Sequence, residues 1–539
     1  MRYLLFFLAI MAYHPFFGQN IYWASEVVAF SSELSPNEYS AAQILGPPDV
    51  LPGSGDNPCA WMPDRTSSKE EFITVKFPRQ ILVKRIAVAE TFNPSAIVAI
   101  YGSLNNKDEQ LLYKGNSQKL SIQGRLLNIL PAKEIRIQYI KIVMNPSGVP
   151  GFQAIDAVAI ADSEKDINHY INIPKIFNKS VIKTGLVKEI NSKYDEIRPV
   201  INSEGQILYI SRKYHPENVG GKYDASDIWF AQINDAKNSW QPPENLGKPV
   251  NNKFPNFLSS LISDNQAKYA IISNEYKGQT MKPGLSVSKI AASWGKPVPF
   301  RITDSYIMDL ENDYFVSLDK NIMLISQERF DTEGRKDIFI SFRKRGNIWS
   351  SPVPIQSINT AADEYSPSLN KTNDTLYFSS EGYSGFGNAD VFFSVRKDSS
   401  FLKWTYPKNL GSMINSPGDE IYYHFPESGT KVYFARKTRD NYDIFSSDKP
   451  DYIGIRDYAN SDTVDQSIAK IPSDSDNHQR MTLSQPEINL ENDIEKPIEE
   501  EVQNDKRNLF GYVLSGIILS LLLIIAFIII RKRKKTLPD

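Results

Sequence analysis

The stretch Thr375–Ser379, which reads TLYFS, is the clearest copy of a phrase that recurs five times between residues 176 and 450. Each copy is a short run of β-branched and aromatic residues, the composition of a buried β-strand. The other four copies are Ile207–Ser211, Tyr269–Ser273, Ile322–Ser326 and Lys431–Ala435. A period of about 55 residues therefore predicts five similar β-sheet units in this half of the chain.

A second phrase, which begins with an aspartate, follows the first in four of the five units. These copies are Asp227–Phe230, Asp337–Ile340, Asp390–Phe393 and Asp443–Ser446, whereas the second unit has Gly284–Val287. A lone tryptophan comes next in four units, at Trp240, Trp294, Trp349 and Trp404. We interpret each aspartate as a turn residue that accepts backbone hydrogen bonds, and each tryptophan as a packing residue at a sheet edge. Four strands per unit predict the blades of a β-propeller.

The two ends of the repeat region predict how the propeller closes. The fifth unit stops near Ser447 without a tryptophan, and Val187–Asn191 matches Ile355–Asn359 of an earlier unit. The segment near residues 180–191 should therefore complete the last blade and close a five-bladed propeller spanning 163–450. The alternative is an open array, which would leave two exposed sheet edges.

These repeats resemble the PD40 (WD40-like) β-propeller repeats of TolB and of envelope proteins that carry an OmpA-like domain. The resemblance implies an envelope protein whose propeller binds a protein or peptide. An acidic segment and an apolar segment stand where the OmpA-like module would follow, so its peptidoglycan binding is not carried over. The glycine-rich loop Glu381–Ala389 differs between units and offers Tyr383 and Phe386 as candidate ligand-binding residues. It lacks the G-x-G-x-x-G spacing of a phosphate-binding loop.

Residues 20–162 lack the repeat and contain segments in which apolar and polar residues alternate, for example Phe72–Phe77, Ile81–Val88 and Ile135–Val143. Such segments, with turn signals between them, predict a β-sandwich. The opening Tyr39–Asp49 resembles the start of galactose-binding-like, discoidin-type jelly rolls.

That resemblance implies binding of a sugar, lipid or protein through loops at one end, in some members with a structural calcium. The candidate rim residues are Asp49, Trp61, Asp64 and Asn93. Trp61 either stacks on a ligand or packs in the core. Asp49 and Asp64 either bind calcium or cap turns. The sequence predicts no other cofactor.

The ends of the chain predict export and anchoring. Residues 1–19 have the charged start and short apolar core of a cleaved signal peptide. Residues 451–508 hold 14 Asp and Glu against six Lys and Arg, which predicts a disordered acidic linker. Residues 509–530 are an uncharged run of 22 residues, long enough for a transmembrane helix, and the basic tail 531–539 should stay in the cytoplasm. We therefore expect a single-pass membrane protein with periplasmic N-terminal domains.

Composition and motifs narrow the function. A net charge of −2 argues against nucleic-acid binding, and a single cysteine, Cys59, excludes an internal disulfide framework. Neither H-E-x-x-H nor G-x-S-x-G occurs in the sequence. We predict a non-enzymatic binding or scaffold protein of the cell envelope, with a protein or peptide on the propeller and a glycan on the sandwich. The alternatives are a transmembrane sensor that acts through a partner protein, and a carbohydrate-active enzyme.

Overall fold

A computed structural model describes residues 19–64, 70–175 and 183–452, apart from 235, 237–238, 264–266, 278–279, 305–309, 345–347, 427–428, 440 and 451. This part of the chain is all-β, and its helices are short 3-10 turns at Ala41–Ile44, Pro146–Gly148 and Gly221–Tyr223. None of the helices in it is long and apolar enough to span a bilayer. The predicted signal peptide up to residue 18, the acidic linker beyond Tyr452, the apolar segment 509–530 and the tail lie outside the described residues.

The first nine strands form two antiparallel sheets that face each other, as the alternating segments predict. They are β1 (Ile21–Trp23), β2 (Glu26–Phe30), β3 (Glu71–Leu82), β4 (Arg85–Phe92), β5 (Ile97–Ser103), β6 (Gln110–Lys114), β7 (Arg125–Ile129), β8 (Arg136–Met144) and β9 (Ala154–Ala161). One sheet has the order β1-β9-β4-β7 and the other the order β2-β3-β8-β5-β6. We call this unit the sandwich.

The period-two pattern of the strands builds the sandwich core. Along β3, Ile73, Val75 and Phe77 are fully buried, while Phe72 and Lys76 are partly exposed and the small polar Thr74 is also buried. Side chains of successive residues point to opposite faces of a strand, so the three apolar residues share the inner face. They pack in one cluster with residues of the opposite sheet. The predicted β-sandwich is therefore present in the structure.

The remaining strands form five further sheets and one separate two-stranded pair, together called the ring, and the five sheets are numbered here along the chain. The strands are β10 (Thr184–Leu186), β11 (Glu196–Ile201), β12 (Ile207–Arg212), β13 (Asp227–Asn234), β14 (Ser239–Trp240), β15 (Glu244–Asn245), β16 (Phe257–Ser263), β17 (Lys268–Lys277), β18 (Thr280–Ile290), β19 (Val298–Pro299), β20 (Arg301–Ile302), β21 (Asp313–Val316), β22 (Ile322–Gln327), β23 (Asp337–Phe342), β24 (Ile348–Trp349), β25 (Val353–Pro354), β26 (Glu364–Leu369), β27 (Thr375–Ser380), β28 (Asp390–Val395), β29 (Lys408–Asn409), β30 (Glu420–His424), β31 (Lys431–Thr438) and β32 (Asn441–Asp448).

Sheets 1 to 4 of the ring are each built from strands that follow one another closely in the chain, whereas sheet 5 includes a strand from before sheet 1. Sheet 1 holds β11 to β15, sheet 2 holds β16 to β19, sheet 3 holds β21, β22, β23 and β25, and sheet 4 holds β26 to β29. Sheet 5 has the order β10-β32-β31-β30, and β20 and β24 form a separate parallel pair. We call β11, β16, β21, β26 and β30, each at one end of its sheet, the first strands. They contact one another in that order in a closed circuit, and β30 contacts β11 again.

Sheet 5 is completed by residues that precede sheet 1, as predicted for the segment near 180–191. Thr184 pairs with Ser447 and Leu186 with Phe445 in an antiparallel register. The Asn191 amide then brackets Ile444, donating to its carbonyl at 2.9 Å and accepting from its N–H at 2.7 Å. Asn359 makes the same two bonds to Ile338 in sheet 3.

The tryptophans pack between neighbouring sheets. The Trp240 ring lies 6.1 Å from the Tyr433 ring of sheet 5, and the Trp294 ring lies 5.6 Å from the Tyr209 ring of sheet 1. Trp349 and Trp404 are buried. Their prediction as packing residues is confirmed.

Candidate functional site

The predicted site residues Asp49 and Tyr383 both contact Tyr406 near the place where the sandwich touches the ring, a contact we call the junction. The Tyr406 hydroxyl donates to Asp49 Oδ1 at 3.3 Å, and the Tyr383 ring meets the Tyr406 ring edge-on at 5.6 Å. The Tyr383 hydroxyl donates to the Ile358 carbonyl at 2.9 Å. Desolvation of the hydroxyl raises the pKa of both tyrosines well above their usual value, although 45% of the Tyr406 residue is exposed, so both hydroxyls stay protonated.

Further contacts make the junction a packed interface. Asn57 Nδ2 donates to the Glu381 carbonyl at 2.9 Å, and His169 Nε2 lies 2.9 Å from Ser384 Oγ. Cys59 is fully buried in an apolar cluster that includes Ala361 of the ring.

Asp49 thus links the sandwich to the ring through Tyr406, whereas Tyr383 packs within the ring. Their predicted roles in ligand binding stay predictions. Phe386, also predicted to bind ligand, lies in the same loop and is partly exposed. Its backbone N–H donates to the Asp390 carboxylate, which fixes the loop.

Trp61 is a core residue of the sandwich. Its side chain is 0% exposed, and the indole N–H donates to the Ser32 carbonyl at 3.0 Å. Its backbone exchanges hydrogen bonds with Ile155 of β9. Of the two alternatives for Trp61, the structure supports core packing, because no ring face is open to a ligand.

A cavity of about 210 Å³, which we call the sandwich cavity, opens at one end of the sandwich. Its polar lining includes Asp64, Glu71, Ser147 and Gln153, and its apolar lining includes Phe152. The other residues around it are Pro63, Pro146, Val149, Pro150 and Gly151. Of the predicted rim residues, Asp64 is thus part of a concave surface.

Two interactions shape the sandwich cavity. The Asn93 amide donates to the Phe152 carbonyl at 2.7 Å, so this predicted rim residue supports the wall. Glu71 Oε2 accepts from the Ser31 and Ser32 hydroxyls and is held against β2. Among the residues that the structure describes, no group of three or more His, Cys, Asp or Glu side chains could hold a metal ion. The calcium alternative for Asp49 and Asp64 therefore gains no support.

A larger cavity of about 440 Å³, the central cavity, lies on the axis of the ring. The first strand of every sheet contributes to the lining, with at least one residue each, among them Ile201, Ser260, Val316, Leu369 and His424. The lining also includes four aromatic side chains, those of Tyr209, Tyr269, Phe315 and Phe425. Sequence reasoning missed this site because its residues come from five separate repeats.

A buried ion pair lies beneath the central cavity. Arg198 and Asp313, three positions before Ile201 and Val316 on β11 and β21, form a 2.7 Å salt bridge and are both buried. The Arg198 guanidinium lies 4.1 Å from the Phe257 ring centre and 4.9 Å from that of Tyr422. Since a regular strand rises about 3.3 Å per residue, Asp313 lies about 10 Å below Val316 along β21.

The repeated aspartates organise turns, as predicted. Asp390 accepts from the Phe386 and Gly387 N–H groups, and Asp337 accepts from the Glu333 and Gly334 N–H groups. Burial raises the pKa of Asp390 to about 6 and that of Asp337 to about 7. These carboxyls belong to the scaffold of the ring.

Comparison with known proteins concerns mainly the sandwich. Residues 18–168 match the family model described as "Pappalysin-1, SD scarf domain, C-terminal". A pectin-binding carbohydrate-binding module is 18% identical over 27% of this chain and 96% of its own, with a TM-score of 0.20. The family 32 module of Clostridium perfringens NanJ, solved with galactose, is 17% identical over 26% of this chain and 100% of its own, also at 0.20.

One similar structure extends over the ring as well. A Hadza microbial sialidase is 10% identical over 69% of this chain and 95% of its own, with a TM-score of 0.29. No curated protein sequence matches the chain significantly.

Proposed function

We propose that the chain is a non-enzymatic binding protein whose sandwich takes a glycan in the sandwich cavity. The observation that carries the proposal is the lining of that cavity, which places Asp64, Glu71 and Gln153 beside the aromatic Phe152. Carboxylate and amide oxygens accept hydrogen bonds from sugar hydroxyls, and an aromatic ring covers the apolar face of a sugar ring. A cavity with a few polar groups beside apolar walls is the usual form of a small-ligand site.

Titration of the full-length chain with mono- and oligosaccharides, followed by calorimetry, tests this proposal. Asp64→Asn should weaken binding by about tenfold, because a hydrogen bond to a charged group contributes more than one to a neutral group. The matched control is Asp108→Asn, on the exposed turn after β5, where Asp108 accepts from Asn105. Equal affinity of both variants and the wild type would exclude the sandwich cavity as the glycan site.

We propose further that the ring is a five-bladed PD40-type propeller that recognises a protein or peptide. The closed circuit of first strands and the pairing of β10 with β32 support this assignment. Cross-linking in cells, followed by purification of the full-length chain, should recover a defined envelope protein attached to residues of the ring. Recovery of glycan alone would make the ring a spacer for the sandwich.

Membrane anchoring through 509–530, export through 1–19 and a periplasmic location belong to the same proposal and rest on the sequence. A reporter enzyme that works only in the cytoplasm is fused after Asp539. It should be active if the predicted orientation is right. The non-enzymatic assignment is supported by Asp337 and Glu364, whose pKa values are raised by burial and whose carboxyls accept backbone N–H groups of the preceding turns, a role in the scaffold.

A further inference from the structure

The lining of the central cavity combines an aromatic wall with positive charge. Lys268 lies on it and pairs with Glu204 at 3.0 Å, so the charge of Lys268 is neutralised within the wall. Lys449 also lines the cavity, with its ammonium 4.8 Å from the centre of the Phe425 ring. Within the described part of the chain, no carboxylate forms a salt bridge with Lys449. The lining therefore presents an ammonium group that is available to an anionic ligand.

His424 adds a neutral donor on the same wall. Its Nδ1 accepts a hydrogen bond from the Ile201 N–H at 3.4 Å, which leaves the ring proton on Nε2. Burial lowers the pKa of His424 to about 4, so the imidazole is uncharged at neutral pH. A neutral imidazole with its proton on Nε2 can donate to a carboxylate oxygen.

The central cavity is blind. The Arg198–Asp313 pair and the Phe257 and Tyr422 rings around it occupy the axis beneath the cavity. A polypeptide cannot pass this buried layer, so an extended segment has room only for its end. A volume of about 440 Å³ is within the range of about 300–1,000 Å³ that is usual for ligand sites.

The cavity also lies away from the junction. In sheet 4, junction residues Ala361 and Ala362 precede β26, while the cavity residues Leu369 to Thr372 lie at and beyond its other end. The sandwich and the cavity therefore occupy opposite ends of this strand, and a ligand reaches the cavity without displacing the sandwich.

We propose that the central cavity binds the end of a peptide that carries a carboxylate, with apolar side chains against the aromatic wall and the carboxylate at Lys449. This inference rests on the proposed recognition of a protein or peptide by the ring, and it names the part of the partner that is bound. The carboxylate has two sources, a free C-terminus or an Asp or Glu side chain near the chain end. Both would pair with an ammonium group in the same way.

Two hexapeptide pools distinguish these sources. Both are randomised and N-terminally acetylated, and one has free C-terminal carboxylates while the other is C-terminally amidated. The full-length chain, purified in detergent, is equilibrated with each pool, and retained peptides are identified by mass spectrometry. Retention from the free-acid pool alone indicates the C-terminus, whereas retention of Asp- or Glu-ended peptides from both pools indicates the side chain.

Variants of Lys449 decide whether the cavity is responsible. Lys449→Met should lower the affinity of the retained peptides by about tenfold or more, because a charge-assisted hydrogen bond is lost. Lys449→Arg should keep most of it. The matched control is Lys188→Met, a change at an exposed lysine outside the cavity lining.

Retention of no peptide, or equal retention by the wild type and Lys449→Met, would overturn the inference. Its failure is separable from that of the proposed function. If the cross-linked envelope protein is still recovered in equal amount with Lys449→Met, the ring recognises a partner elsewhere. If no partner is recovered from the wild type, recognition of protein by the ring itself is wrong.

Discussion

Replacement of Asn191 with alanine tests how the ring closes. The Asn191 amide donates to the Val187 and Ile444 carbonyls at 3.0 and 2.9 Å and accepts from the Ile444 N–H at 2.7 Å. In Asn191→Ala the Ile444 carbonyl keeps its bond from the Val187 N–H, but the N–H of the buried Ile444 loses its partner. An unsatisfied buried donor costs about 1–3 kcal/mol, and each further bond adds about 1 kcal/mol. We expect the free energy of unfolding to fall by about 2–4 kcal/mol.

Asn359→Ala is the matched comparison, because Asn359 makes the same two bonds to Ile338 within an uninterrupted repeat. The free energy of unfolding of both variants would be measured by urea denaturation of the full-length chain, followed by tryptophan fluorescence. If residues before sheet 1 close the ring, the two losses should agree within about 1 kcal/mol. A loss below about 0.5 kcal/mol for Asn191→Ala, with a loss above about 2 kcal/mol for Asn359→Ala, would refute closure by this segment.

Three further predictions concern buried side chains. The folded state holds the Asp337 proton up to a pKa of about 7, whereas the unfolded state loses it near 3.8, so rising pH destabilises the wild type through this group. The stability of Asp337→Asn relative to the wild type should therefore increase by about 2–3 kcal/mol from pH 5 to pH 8 in urea denaturation, and a constant difference would contradict this. Tyr377→Ala should lower the free energy of unfolding by about 3–5 kcal/mol, because the ring packs on Tyr423 and Phe425, while Tyr377→Phe should stay within about 1.5 kcal/mol. Trp61→Ala should destabilise the chain by about 3–5 kcal/mol in the same assay, and an unchanged stability would contradict the core position of Trp61.

The strands of the ring could be predicted because their signals are local and repeated. Thr375–Ser379 lies within β27, which forms hydrogen bonds on both sides and is buried throughout, as its β-branched and aromatic residues require. The match between Val187–Asn191 and Ile355–Asn359 predicted a long-range contact, because equivalent residues of a repeat make equivalent bonds. The pairing of Thr184–Leu186 with β32 is that contact.

The candidate sites could be predicted only in part, because they depend on contacts between distant residues. Asp49 and Tyr406 are 357 positions apart, and nothing local to Asp49 distinguishes a ligand-binding loop from a loop that packs on another domain. For the same reason, the sequence predicts a ligand site in the glycine-rich loop around Tyr383. Asp64 lines a cavity because it follows the buried Trp61 closely and lies where the chain leaves the core, and its role in ligand binding stays a prediction.

A signal for the central cavity does exist in the sequence. Arg198 lies in a strand whose six residues are all buried, a setting in which a charge needs a partner. Asp313 lies at the equivalent place two sheets away and provides that partner. A charged residue in the first strand of a repeat, matched by an opposite charge in another repeat, therefore indicates that the two side chains meet on the axis. The buried layer that they form is the feature that makes the central cavity a site for a chain end and not a channel.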